Sequence, residues 1–222
     1  MFAEKVIRWS GLALAGGGIL AALFWILHPE ESVLLTDPAG YQAEHLLDFI
    51  GLMLFIPGLV GLYARLVNRA GWLGFAGFVL TLLPLLVLMG ISVVDLLIWP
   101  SIAQIQPDLI LTPEGEFNQV SGPFAATIAL IVPFSMIGAL GFILLGIAIS
   151  RSNLLPRWAG LLLAIAGPLY CIGPGFVPHE MLLLNLLVYG PFAVTAVWLG
   201  RALLNPSQSQ KQSMKVRAEP IS

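Results

Sequence analysis

The sequence predicts an all-α membrane protein, a polytopic bundle of six transmembrane helices with no soluble domain. Three observations carry that prediction. Of the 222 residues, 58% are hydrophobic and only 10% are charged, against about 25% charged in a soluble domain. A core of this size cannot hide so much apolar surface from water, so much of it must face lipid. The apolar residues form six continuous runs, each close to the roughly 20 residues that a helix needs to cross a bilayer. Every lysine and arginine lies on one side of the connections between those runs.

The runs fall near 7–28, 43–66, 71–99, 123–149, 157–176 and 181–204, so 1–204 reads as one transmembrane domain and 205–222 as a tail. They are continuous rather than alternating, and too long for the strands of a membrane barrel. The first begins like a signal peptide, with Lys5 and Arg8 before it. It continues from Trp9 to Leu27, beyond the roughly 7–15 residues of a signal core, and is expected to be a retained helix. The third, from Gly71 to Trp99, would be about 43 Å long at about 1.5 Å per residue. A hydrocarbon core is about 30 Å thick, so this helix must tilt, kink at Pro84 or project outward. Gly71, Gly74 and Gly77 recur along its start and would admit a neighbouring helix. Pro57, Pro133, Pro168 and Pro191 lie inside other spans and read as packing and shape.

The connections separate by charge. Lys5 and Arg8, Arg65 and Arg69, Arg151 and Arg157, and Arg201 with Lys211, Lys215 and Arg217 all fall on one side. The opposite loops hold Glu30, Glu31, Asp37, Asp108, Glu114, Glu116 and Glu180 with no basic residue. Loops rich in Lys and Arg stay cytoplasmic, so both termini are expected inside. The basic connections, 67–70 and 150–156, are short. The acidic ones are longer. The segment from 100 to 122 reads either as a flap on the outer surface, through Leu109-Ile110-Leu111, or as a plain tether. After Asn205-Pro206 the chain turns to Ser, Gln and Lys without apolar periodicity and is expected to be disordered.

The spans that leave the basic side open alike: Arg8-Trp9-Ser10-Gly11, Gly71-Trp72-Leu73-Gly74 and Leu155-Pro-Arg157-Trp158-Ala-Gly160. Indole at headgroup level and guanidinium reaching phosphate make interfacial anchors of Arg8, Trp9, Arg65, Arg69, Trp72, Arg151, Arg157 and Trp158. The similarity suggests three parallel hairpin repeats, although anchoring alone generates the same pattern. Gly141-Phe-Ile-Leu-Leu-Gly146, then Ser150 through Gly160 with its Leu-Pro-Arg-Trp-x-Gly turn, and on to Ala166-Gly167 and Tyr170, resembles a widespread bacterial family of small membrane proteins classed as a domain of unknown function. The resemblance covers about a fifth of the chain. It implies a bacterial cytoplasmic membrane protein and carries over no catalytic residue.

Ionisable side chains inside spans are candidates for function. Asp48 and Asp95 qualify, and His45 lies one helical turn before Asp48 on the same face. His28 and His179 stand at the ends of spans on the same acidic side. One reading is a divalent-metal site, Zn²⁺ or a similar ion, on His45, Asp48 and Asp95, completed by His28 or His179 and able to activate water. The other is helix capping and interfacial hydrogen bonding with no cofactor. The single cysteine, Cys171, excludes a disulfide framework or thiolate cluster within one chain. Only His45 falls inside a span, which disfavours axial haem ligation, and the short basic loops hold no phosphate loop, nucleophile elbow or nucleic-acid patch. The favoured expectation is a non-enzymatic membrane component. It would bind a protein, a lipid or an apolar molecule through an outward-facing pocket beside the second and third spans. The alternative is a metal-dependent, hydrolase-like membrane enzyme.

Overall fold

The computed structural model describes residues 2–28, 33–114, 118, 120–178 and 180–205. Six long apolar helices account for most of them: α1 (Phe2–Leu27), α3 (Pro38–Leu66), α4 (Gly71–Val93), α6 (Gly122–Arg151), α7 (Arg157–Ile172) and α8 (Leu182–Leu204). Two short helices, α2 (Val33–Thr36) and α5 (Trp99–Ile105), stand at the acidic end. The described residues contain no strand. The six spans are all long and apolar enough to cross a membrane, and the chain is an all-α multi-pass membrane protein. The expected disorder of the tail and the candidate ligand His179 fall outside the described residues.

α1 starts at Phe2, five residues before the expected boundary, and the second and third spans differ from the sequence reading for local reasons. The second span starts at Pro38, not near 43. Asp37 caps it by accepting the Gly40 backbone N–H at 3.0 Å, and proline suits the first helical position because its N–H would have no partner there. The third span runs on past Trp99 to Ile105, about 52 Å at 1.5 Å per residue, and so projects beyond a hydrocarbon core. It does this through a π-helical turn, Val94–Ile98, where the Trp99 N–H reaches the Val94 carbonyl. Pro100 has no N–H, so the Leu96 carbonyl loses its helical donor. Gln42 of α3 supplies one, its Nε2 donating to Leu96 O at 3.0 Å. Gln42→Leu should therefore loosen the α3–α4 contact and cost about 1 kcal/mol, read as a fall in melting temperature in detergent.

The described part of the segment after Pro100 packs into the protein rather than lying on the surface as a flap or spanning it as a tether. Ile110 and Leu111 are buried with Leu34, Tyr41, Trp99, Ala103 and Phe124 in a small core of their own. This cap lies over the acidic end of the bundle.

The spans form a closed ring in chain order, each packed against its sequence neighbours and α8 against α1. The packing is uneven. α1 is tight against both α3 and α8, and α6 against both α4 and α7, while α3–α4 and α7–α8 meet less extensively. Glycine makes the tight contacts. A Cβ on Gly58 of α3 would stand 2.5 Å from the Leu14 backbone of α1. One on Gly141 of α6 would stand 2.5 Å from the Thr81 backbone of α4, and one on Gly146 2.5 Å from the Gly160 carbonyl of α7. Gly11 and Gly200 face each other across α1 and α8 in the same way. Small residues let membrane helices approach to backbone contact, where dispersion is strongest. The helices thus group in threes, α8–α1–α3 and α4–α6–α7, whereas equal hairpins would make α7–α8 as tight as α1–α3. The middle of the ring is filled. Phe192 stacks on Tyr170 with ring centroids 4.3 Å apart and touches Phe55 at 5.3 Å and Phe142 at 5.5 Å.

Candidate functional site

The buried ionisable side chains, His28, His45 and Asp48, collect at the acidic end of the ring. α1 brings His28, 5% exposed, and α3 brings His45 and Asp48, 4% and 8% exposed. A single helical turn separates His45 from Asp48, as the sequence spacing required. His45 is fixed in two ways. Its Nδ1 lies 2.9 Å from the Tyr41 carbonyl one turn earlier, and since a carbonyl only accepts, Nδ1 carries the proton of that bond. Its ring also stacks on the Tyr41 ring at 4.1 Å. His28 meets His45 edge-on with centroids 5.3 Å apart, and Phe24 packs against both. Trp25 closes the group, edge-on to His28 and stacked on Tyr189 of α8.

Asp48 finds its partner on another helix. Ser92 Oγ of α4 lies 2.5 Å from Asp48 Oδ2 and 3.0 Å from the Leu88 carbonyl. One hydroxyl proton serves both oxygens, and the short distance to the carboxyl marks that bond as the stronger. Together with Gln42 to Leu96 it ties α3 to α4, the contact that lacks glycine-tight packing. Asp95 stands half-buried on the π-helical turn of the same run, one helical turn beyond Ser92.

The structure thus joins His28 to His45 and Asp48 to Ser92. Among the described residues, no three His, Cys, Asp or Glu side chains come together as a group that could hold a metal ion. Several polar atoms at this end lack a hydrogen-bond partner among the described residues: Trp99 Nε1, Glu44 Oε2 and Thr112 Oγ1. Trp99 is only 3% exposed and belongs to the cap core with Tyr41. Buried donors and acceptors without partners are uncommon in folded proteins and mark places where a further polar group fits.

Of the sequence candidates, the structure brings His28, His45 and Asp48 to this end, beside Ser92, Trp25, Tyr41, Tyr189 and Trp99, which the sequence did not single out. Tyr41 had a local signal, four residues before His45. Ser92 had none, since 44 positions separate it from Asp48. The indoles expected as anchors at the other end are exposed. Trp9, Trp72 and Trp158 are 70%, 78% and 69% exposed near the basic ends of α1, α4 and α7.

Comparison with family models, with curated proteins and with solved structures finds no match to this chain.

Proposed function

We propose that the chain is a non-enzymatic component of the bacterial cytoplasmic membrane, with the basic end and both termini in the cytoplasm. In this reading it binds an apolar small molecule with a polar head at the acidic, outward-facing end. The carrying observation is the indole N–H of buried Trp99, which has no hydrogen-bond partner among the described residues and lies in a core with Tyr41 and Phe124. Mostly apolar and aromatic walls with a few convergent polar groups are the make-up of small-molecule sites. The polar groups of this end come from α1, α3 and α4, with α8 adding Tyr189, so a ligand there would touch both three-helix groups. The one-sided distribution of Lys and Arg supports the orientation, and the Leu155–Gly160 turn supports the bacterial setting.

The test is to extract the purified full-length protein with organic solvent and identify co-purified molecules by mass spectrometry. One apolar compound per chain is expected, retained in Trp9→Ala and lost in His45→Ala and Trp99→Phe. The metal-dependent alternative, on His45, Asp48 and Asp95, is separated by elemental analysis. Zinc or another divalent metal at one per chain, lost in His45→Ala, would replace the binding reading with the enzymatic one. For orientation, a phosphatase fused after Ser222 is expected to be inactive in bacteria, and an active fusion would reverse the topology.

A further inference from the structure

We infer that the face of α8 beside the turn into α7, at the basic end, is a binding site for one anionic phospholipid, its headgroup at Arg201 and an acyl chain along α8. This rests on neither the acidic-end ligand nor the orientation of the chain.

The six spans are not sealed equally, and the α7–α8 contact is one of the two looser ones. Where α8 leaves the bundle, a groove of about 550 Å³ opens between it and the turn joining α6 to α7. Its polar wall is Arg201, Asn205 and Asn153. Asn153 sits at φ 55°, just past the Ser152 cap of α6, a left-handed position at a helix end that glycine and asparagine take with least strain. That conformation lets the turn double back, and both Asn153 and Arg201 are exposed. A second groove of about 490 Å³ continues from the first along α8. The two share Trp198 and Arg201, and beyond them the second is lined by Ala193, Val194 and Val197 alone. Those positions follow the spacing of one helix face. From Arg201 to Ala193 is about 12 Å along the axis, which leads from headgroup level toward the middle of the membrane.

The walls therefore change along one line, from a guanidinium with two amides, past an indole, to bare aliphatic carbon. An amphiphile with an anionic head matches that order. Arg201 offers a planar fork of donors to phosphate, Trp198 belongs at the level of glycerol and ester groups, and the aliphatic stretch takes hydrocarbon. Charge points the same way. No carboxylate lines either groove, and Glu4 is the only acid that the described residues place at this end. A zwitterionic lipid would bring its cationic group against the same guanidinium, so the preference is for net negative charge.

The experiment uses the full-length protein, delipidated in detergent, with native mass spectrometry as the readout. The probes are phosphatidylglycerol and phosphatidylcholine with identical acyl chains. The expected result is one tightly retained phosphatidylglycerol per chain. Arg201→Gln should weaken it about fivefold, the equivalent of about 1 kcal/mol for one basic residue at a lipid surface, and leave phosphatidylcholine unchanged. Arg201→Lys should keep most of the preference, and Val197→Trp, which fills the aliphatic stretch, should weaken both lipids. Equal affinity for the two lipids in the unaltered protein would overturn the inference. So would an Arg201→Gln protein that still prefers phosphatidylglycerol. Equal losses in Arg201→Lys and Arg201→Gln, with the same fall in melting temperature, would assign Arg201 a structural role instead and also overturn it.

Discussion

Gly141→Leu is expected to abolish the folded bundle. A Cβ at Gly141 would sit 2.5 Å from both the Leu80 and the Thr81 backbone of α4. Backbone cannot move aside as a side-chain end can. The helices would have to separate, losing contact along the whole α4–α6 interface. Overpacking a tight core typically costs about 1–3 kcal/mol, and leucine at a backbone-to-backbone contact should reach or exceed the upper figure. Gly58→Leu should behave alike, because its Cβ would meet the Leu14 backbone of α1 at 2.5 Å. Gly90 is the control. It lies in α4 with nothing within 4 Å of an added Cβ, so Gly90→Ala should be neutral or stabilising by up to about 1 kcal/mol. Size-exclusion profiles and melting temperatures in detergent read all three. If Gly141→Leu elutes and melts as the unaltered protein does, glycine contacts are not what holds the helices within each group of three together.

The second large effect should come from Ser92→Ala. It leaves the Asp48 carboxyl buried without the hydroxyl that now meets it at 2.5 Å. Stranding a buried polar group costs about 1–3 kcal/mol, whereas replacing both partners by apolar groups of similar shape is close to neutral. The double variant Asp48→Leu with Ser92→Ala should therefore be more stable than Ser92→Ala alone. A double variant that simply adds the two single losses would show that Asp48 has a further stabilising contact at the acidic end. Across a panel, Asp48→Ala and His45→Ala should lower stability or ligand retention more than Glu30→Ala. Equal behaviour of the three would count against a site at that end.

The composition and the six apolar runs were sufficient for the class, since 58% hydrophobic residues cannot be buried in a single core of this size. The hairpin openings at Gly71-Trp72 and Arg157-Trp158 coincide with the starts of α4 and α7, while α1 begins two turns before Trp9. The failures also had local causes. The end of the third span was misplaced because Pro100 reads as a helix stop. What lets the helix pass is a π-helical turn and the amide of Gln42, more than 50 positions away. The hairpin reading missed the grouping in threes, since a repeat of opening motifs says nothing about which flank of a helix carries its glycines.

Within the candidate site, the sequence by itself determined that His45 and Asp48 share one face of a helix, because a period of 3.6 residues is a local property. It likewise determined that the histidines and most of the acids gather at one end, because charge follows the alternation of the spans. Only the tertiary structure decided that Asp48 meets Ser92 and not Asp95. It alone brought His28 against His45, and Trp99 under a cap built from Leu34, Tyr41, Ile110 and Phe124. It also opened the amphipathic groove beside Arg201. The reason is physical: within a membrane nearly every span is apolar on all sides. Hydrophobic pattern then carries little information about which faces meet, and that choice falls to glycine contacts and to a few polar pairs formed across long stretches of chain.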